Sequence, residues 1–232
     1  MAIHLKQIKE QILKKSVKNV FIFFFSISIT ACQSPSSNQS SAPVLLFSDN
    51  FTSSQQWYVS TTTARTFSYV SDGYDISTGQ SSSWWWSNCP YTNQNSFSSP
   101  FIVELTAKAT LADQTNNGGF GIAFDQTDNN NFSWVSFDKS GNFKINKWIA
   151  GSAANPPIID WTPASSFVSG SSNTIKIKHD QNGIELYVNG TSVAKSSSFS
   201  IPSSAMKISI IDDNFGTTST IAHFTDFKLY RE

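Results

Sequence analysis

Residues 175–190 read IKIKHDQNGIELYVNG. Ile175 and Ile177 alternate with Lys176 and Lys178, the period of two that a strand shows when one face is buried and the other is wet. Asp180-Gln181-Asn182-Gly183 then places a glycine where a tight hairpin needs positive φ. The chain returns through Ile184-Glu185-Leu186-Tyr187-Val188, and Asn189-Gly190 is the pair a type I′ turn prefers. This stretch therefore predicts consecutive antiparallel strands.

The same reading extends in both directions. Phe101, Val103 and Leu105 alternate with Ile102, Glu104 and Thr106, and residues 118–124, 132–137, 143–148 and 206–211 add further strands. Asp138-Lys139-Ser140-Gly141 repeats the turn chemistry. The last run, Ile221 to Tyr230, keeps Phe224 on one face with Phe227 and Leu229 only if a bulge falls near Thr225. From Leu45 onward no window shows an apolar period of 3.6, so the predicted class is all-β, a sandwich or barrel. Successive hairpins send loops to alternate ends of a sheet. Residues 113–117 and 138–141 should share one end, and residues 125–130 and 151–157 the other.

The first 31 residues have a different character. Lys6, Lys9, Lys14, Lys15 and Lys18 precede Val20–Ile29, an apolar run too short to cross a bilayer and typical of an export signal. Ile29-Thr30-Ala31-Cys32 resembles the bacterial lipobox, which implies lipidation of Cys32. The Gln33 that follows implies sorting to the outer membrane. The expected organisation is a signal peptide over 1–31, the lipidated Cys32 and a Ser, Asn, Gln and Pro linker to residue 44, and one domain over 45–232. Cys89 is then the only other cysteine, which excludes an internal disulfide and a cysteine-based metal cluster. Lys and Arg equal Asp and Glu at 16 each over the whole chain. After Cys32 the balance is 11 against 15, a net charge of −4, which excludes the basic footprint of nucleic-acid binding.

Phe47-x-Asp49-x-Phe51, Trp57, Tyr74-x-Ile76, Trp84-x-Trp86, Val103-Glu104, Gly119-Phe120-Gly121, Asn131-Phe132, Gly141-x-Phe143, Trp161, Leu186-Tyr187-Val188-Asn189-Gly190 and Phe224-x-x-Phe227 occur in that order. The succession resembles the concanavalin A-like jelly rolls, in particular the laminin-G-like domains and the DUF1080-type, 3-keto-disaccharide hydrolase domains. The resemblance spans Leu45 to Glu232. It implies a two-sheet antiparallel jelly-roll sandwich in which a concave face or its rim takes a carbohydrate.

The aromatic residues are the main functional clue. Seven Trp occur, three of them as Trp84-Trp85-Trp86, and in a strand Trp84 and Trp86 share one face while Trp85 takes the other. One face thus offers indoles for sugar stacking, with Asn88, Tyr91 and Asn93 beside them to read hydroxyl groups; which face is exposed stays open. Trp148 borders a loop of rim composition, whereas Trp57, Trp134 and Trp161 read as core. Catalytic candidates are sparse. A glycosidase needs two carboxyl groups about 5–9.5 Å apart, and Glu104 and Glu185 read as solvent-facing strand residues. Asp212 and Asp213 follow an apolar strand, where adjacent carboxylates suit a turn cap, an acid/base pair or a cation site. His179 and His223 lack zinc-binding spacing. Asp125 and Asp128 supply oxygen ligands of the type Ca²⁺ prefers, and the resemblance implies Ca²⁺ at such a rim. The readings in play are a non-catalytic glycan-binding module, a glycoside hydrolase of DUF1080 type, and a laminin-G-type module that contacts a protein partner.

Overall fold

The structure, a computed structural model, describes residues 42–52, 56–79, 83–110, 119–214 and 219–232. The signal segment, Cys32, the linker to residue 41 and the loop 113–117 lie outside the described residues.

The chain enters through β1 (Val44–Asp49), β2 (Ser60–Thr61), β3 (Arg65–Val70), β4 (Gly73–Thr78) and β5 (Ser83–Asn88). A one-turn helix, α1 (Pro90–Gln94), follows, with Pro90 at a position where its missing N–H costs nothing. Then come β6 (Phe101–Ala109), β7 (Gly119–Asp128), β8 (Asn131–Asp138), β9 (Asn142–Ile149), β10 (Ser152–Ala153) and β11 (Ile159–Pro163). The hairpins β12 (Asn173–Asp180), β13 (Gly183–Val188) and β14 (Thr191–Ser196) lead to β15 (Lys207–Asn214) and β16 (Thr220–Arg231). One sheet runs β14-β13-β12-β6-β16-β4-β3-β2, with β1 also on β16. The other runs β10-β9-β8-β7-β15-β5, with β11 on β9. Every strand pair is antiparallel.

Local signals set the hairpins. Gly141, Gly183, Asn189 and Gly190 all have positive φ, as the turn reading requires. At Gly183, φ is +117° and a Cβ would lie 2.0 Å from the Ser196 carbonyl oxygen. Gly183→Ala is therefore expected to cost about 1–3 kcal/mol, read as a lower urea midpoint with unchanged slope. The register shift between Phe224 and Asp226 is the anticipated bulge at Thr225, and it keeps Phe224, Phe227 and Leu229 all buried. The ends are as expected where they are described, since Gly151 N donates to the Asn130 carbonyl at 3.1 Å.

The core lies between the sheets. Phe101, Val103 and Leu105 of β6, Ile175 and Ile177 of β12, and Phe224, Phe227 and Leu229 of β16 face Phe120, Ile122 and Phe124 of β7 and Ile208 and Ile210 of β15. Trp57 caps this core, its Nε1 donating to Asp49 Oδ2 at 3.1 Å. Cys89 is buried there, and burial pushes its thiol up to about 12, which makes it an inert core residue at neutral pH. His179 is buried with Nε2 3.1 Å from Asp125 Oδ2, and His223 has Nδ1 2.6 Å from Asp75 Oδ1. Both histidines are thus more enclosed than half-buried strand residues, and each is anchored by a carboxylate.

Candidate functional site

A second apolar cluster sits apart from the main core. It consists of Ala123, Phe132, Trp134 and Ile211, with Trp84, Trp86 and Trp148 packed against it. Strand parity explains the separation. Phe120, Ile122 and Phe124 point to the core, so Gly119, Gly121 and Ala123 face outward; likewise Val135 and Phe137 point inward and Phe132, Trp134 and Ser136 outward. Cross-strand pairing puts Trp86 opposite Ile211 and Trp84 opposite Asp213 on that same outer face.

The face is deeply curved. Trp84 on β5 and Trp148 on β9 are four strand intervals apart, about 19 Å in a flat sheet, yet their ring centroids are 5.0 Å apart. Sheet twist brings diagonally opposite corners toward each other. The bulge in β7 between Phe124 and Asp128 adds to the bend, with Asp125 at φ +53°. Trp84 consequently touches Phe132 at 4.5 Å, Trp134 at 5.1 Å and Trp86 at 6.1 Å between centroids. Trp84, Trp86 and Trp148 remain half-buried, so their edges border solvent.

Beside Trp86 lies a polar cleft of about 300 Å³ lined by Gln56, Tyr58, Ser87, Asn88, Asn93 and Gln94 among others. Asn88 accepts from Ser209 Oγ at 2.7 Å, which fixes its amide on the groove face. Asn93 is exposed on α1. A second depression joins Trp86 to Tyr58, Arg65 and Asn129. Tyr58, 53% exposed, borders both. Sequence reading missed Tyr58 and Gln56, because they lie on the segment before β2 and come beside Trp86 only through the fold.

Four of the sequence-derived positions sit elsewhere. Trp85 turns toward the main core, with the Arg65 guanidinium 3.9 Å above its ring. Tyr91 also packs on that core, 6.4 Å from Phe97, because the turn of α1 directs it inward. Trp134 is buried as expected but on the groove face, while Trp161 is only half-buried, near Lys144.

Asp212 and Asp213 lie within β15 and not in a turn after it, and adjacent strand residues point to opposite faces. They cannot form one acid/base pair. Asp212 lies between the sheets, accepting from Thr220 Oγ1 at 2.8 Å, and burial pushes its carboxyl up to about 8. Asp213 faces the groove. Burial raises it to about 7, with the nearby Ser136 hydroxyl and Lys144 ammonium pulling the other way. Asp125 and Asp128 do not form a shared site either. Asp125 turns in to His179, whereas Asp128 caps its turn, accepting from Asn130 N at 2.7 Å and Asn131 Nδ2 at 2.9 and 3.0 Å. Among the described residues no three His, Cys, Asp or Glu side chains converge as a metal site.

No family model matches the sequence, and no curated protein matches it. Solved structures do. A carbohydrate-binding module, CBM66 from Bacillus subtilis, superposes with a TM-score of 0.51 at 16% identity, over 74% of this chain and 94% of that one. A Bacillus licheniformis β-glucanase gives 0.54 at 14%, over 82% and 98%. The Emp46p carbohydrate recognition domain in its potassium-bound form gives 0.57 at 10%, over 78% and 94%. At these identities the likeness is one of fold. The domain has the two-sheet antiparallel jelly-roll fold of these neighbours.

Proposed function

We propose that the chain is a lipid-anchored envelope protein, held in the outer membrane through Cys32, whose jelly-roll domain binds a carbohydrate without cleaving it. One observation carries the reading: half-buried indoles on the curved face adjoin a cleft lined by amides. Indole faces pack against the C–H faces of a sugar ring, while side-chain amides both donate to and accept from its hydroxyl groups. Trp86 and Trp148 supply the first; Gln56, Asn88, Asn93 and Gln94 supply the second. The fold neighbours include a carbohydrate-binding module and a carbohydrate recognition domain, which supports a glycan ligand.

Binding to a glycan array, followed by titration of the bound oligosaccharides, tests this. Trp86→Ala is expected to weaken binding by about 2 kcal/mol, the scale of a buried Trp contact, and Asn93→Ala by less. Unchanged affinity in Trp86→Ala would reject this face as the site.

A hydrolase of DUF1080 type is the second reading, favoured by Asp213, a buried groove-face carboxyl with a raised pKa that suits a general acid. Its partner would be Asp138, on the same face two strands away across Gly119. Asp138, however, is engaged by Ser140 N, Asn142 N and Asn142 Nδ2 at 2.8–2.9 Å. Product release abolished in Asp213→Asn would promote this reading.

A further inference from the structure

Beneath the aromatic bridge the groove has a polar floor whose groups make no well-formed hydrogen bond among the described residues, the Ser136 hydroxyl only approaching Asp213. Both Asp213 carboxylate oxygens, Ser136 Oγ and Trp134 Nε1 are buried without a hydrogen-bond partner. Asp213 and Ser136 are fully buried and Trp134 is 2% exposed. All three face the same side of the sheet, on β15 and β8, with β7 between them. On that intervening strand the outward positions are Gly119 and Gly121, so no side chain rises between Asp213 and Ser136. The gap is enforced: a Cβ at Gly121 would lie 1.9 Å from the Val135 carbonyl oxygen. Leaving buried polar groups unpaired costs about 1–3 kcal/mol each, more for a charge; other unpaired buried atoms, such as Asp212 Oδ1 and Trp85 Nε1, lie off this face, whereas these four share one side of the sheet, which points to a ligand there.

We propose that Asp213, Ser136 and Trp134 form an inner subsite that takes the vicinal hydroxyls of a neutral sugar ring, closed off by the Trp84 indole until that sugar enters. The chemistry is complementary. The two Asp213 oxygens engage two adjacent hydroxyls, both accepting when the group is ionised and one donating when it is protonated, the indole N–H donates to a hydroxyl or ring oxygen, and the Ser136 hydroxyl does either. Lys144 lies near Asp213 and offsets its charge, which suits an uncharged ligand better than a cationic one. Trp84 is the movable part. It stands on the edge strand β5, directly opposite Asp213, and its ring bridges to Phe132, Trp134 and Trp148 across the groove. An indole is close to a pyranose ring in size, so its displacement leaves an aromatic-walled space of the right dimensions. This subsite rests on the glycan-binding reading and deepens it.

The test uses methyl glucoside, galactoside, mannoside and xyloside as probes, titrated into the protein while the indole N–H resonances are followed by NMR. The Trp134 signal is assigned with Trp134→Phe. A bound probe is expected to shift the Trp134 N–H resonance. At pH 8.5, where the carboxyl is ionised, Asp213→Asn, which keeps the shape, should weaken binding about tenfold or more, as expected for charged hydrogen bonds, without lowering the urea midpoint. Ser136→Ala should weaken it several-fold, and Trp84→Ala, which removes the cover, should speed association and leave affinity at least as high. Three results overturn the subsite. If a probe binds with Trp86 and Asn93 required but Asp213, Ser136 and the Trp134 signal indifferent, the outer glycan site stands and the inner one falls. If Trp84→Ala loses binding as Trp86→Ala does, Trp84 is platform and not cover. If none of the four probes binds and the glycan array is blank as well, both readings fall together.

Discussion

Raising the pH from 5 to 8.5 is expected to destabilise the folded domain, and Asp213→Asn should remove much of that loss. The sign follows from the two buried carboxyls of β15. Their folded-state values lie at about 8 for Asp212 and about 7 for Asp213, well above the ordinary carboxylate range. Each group is therefore protonated in the folded protein at pH values where the unfolded chain has already released the proton. The stabilisation is complete below pH 4 and is lost progressively as the pH rises toward 7 to 8. A pKa unit corresponds to about 1.36 kcal/mol, so each carboxyl contributes on the order of 4 kcal/mol over the full range. Urea midpoints at both pH values measure it. The asparagine variant should match the parent at pH 5 and exceed it at pH 8.5; parallel pH dependences in the two proteins would mean that Asp213 is not buried as described.

The second large effect is expected at Phe227. Its fully buried ring lies 5.1 Å from Trp57 and 6.1 Å from Phe47, so it joins β16 to β1 and to the segment that follows β1. Phe227→Ala removes that contact and leaves a cavity, at about 3–5 kcal/mol. For a domain of this size the loss corresponds to a fall in Tm on the order of 10 °C. Thermal unfolding followed by near-ultraviolet circular dichroism, which reports the Trp57 environment, reads both consequences at once. A loss below 1 kcal/mol would show that the Phe227 ring is not packed against Trp57 and Phe47 as described.

What the sequence disclosed is what neighbouring residues determine. The hairpin through Asp180–Gly183 was legible because alternation and turn glycines lie within a few residues of one another, and the Thr225 bulge because it breaks a period of two. The β8 segment 132–137 reads FSWVSF and is buried on both faces, so its pattern does not say which side faces the core. For that reason Trp134 reads as main core in the sequence and lies on the groove face in the fold. In the sequence Asp212 and Asp213 follow the strand because the apolar run ends at Ile211; their place inside β15 comes from pairing with β5, more than 120 positions away in sequence. The same long-range pairing decides that Trp84 and Trp86, and not Trp85, face the groove. Asn88 and Asn93 were found by proximity in sequence to Trp86, a signal that failed for Tyr91, since a single helical turn reverses the direction of a side chain. The unpaired polar floor had no signature, because Asp213, Ser136 and Trp134 are ordinary residues until three strands bring them together.

The most direct test of the central claim is to titrate the purified protein with a panel of polysaccharides and oligosaccharides, following Trp fluorescence and sampling each mixture for released sugar. The expected result is a saturable change with at least one saccharide, no product, and loss of the change in Trp86→Ala. A folded protein that responds to none of them, or one that steadily releases product, would contradict the account.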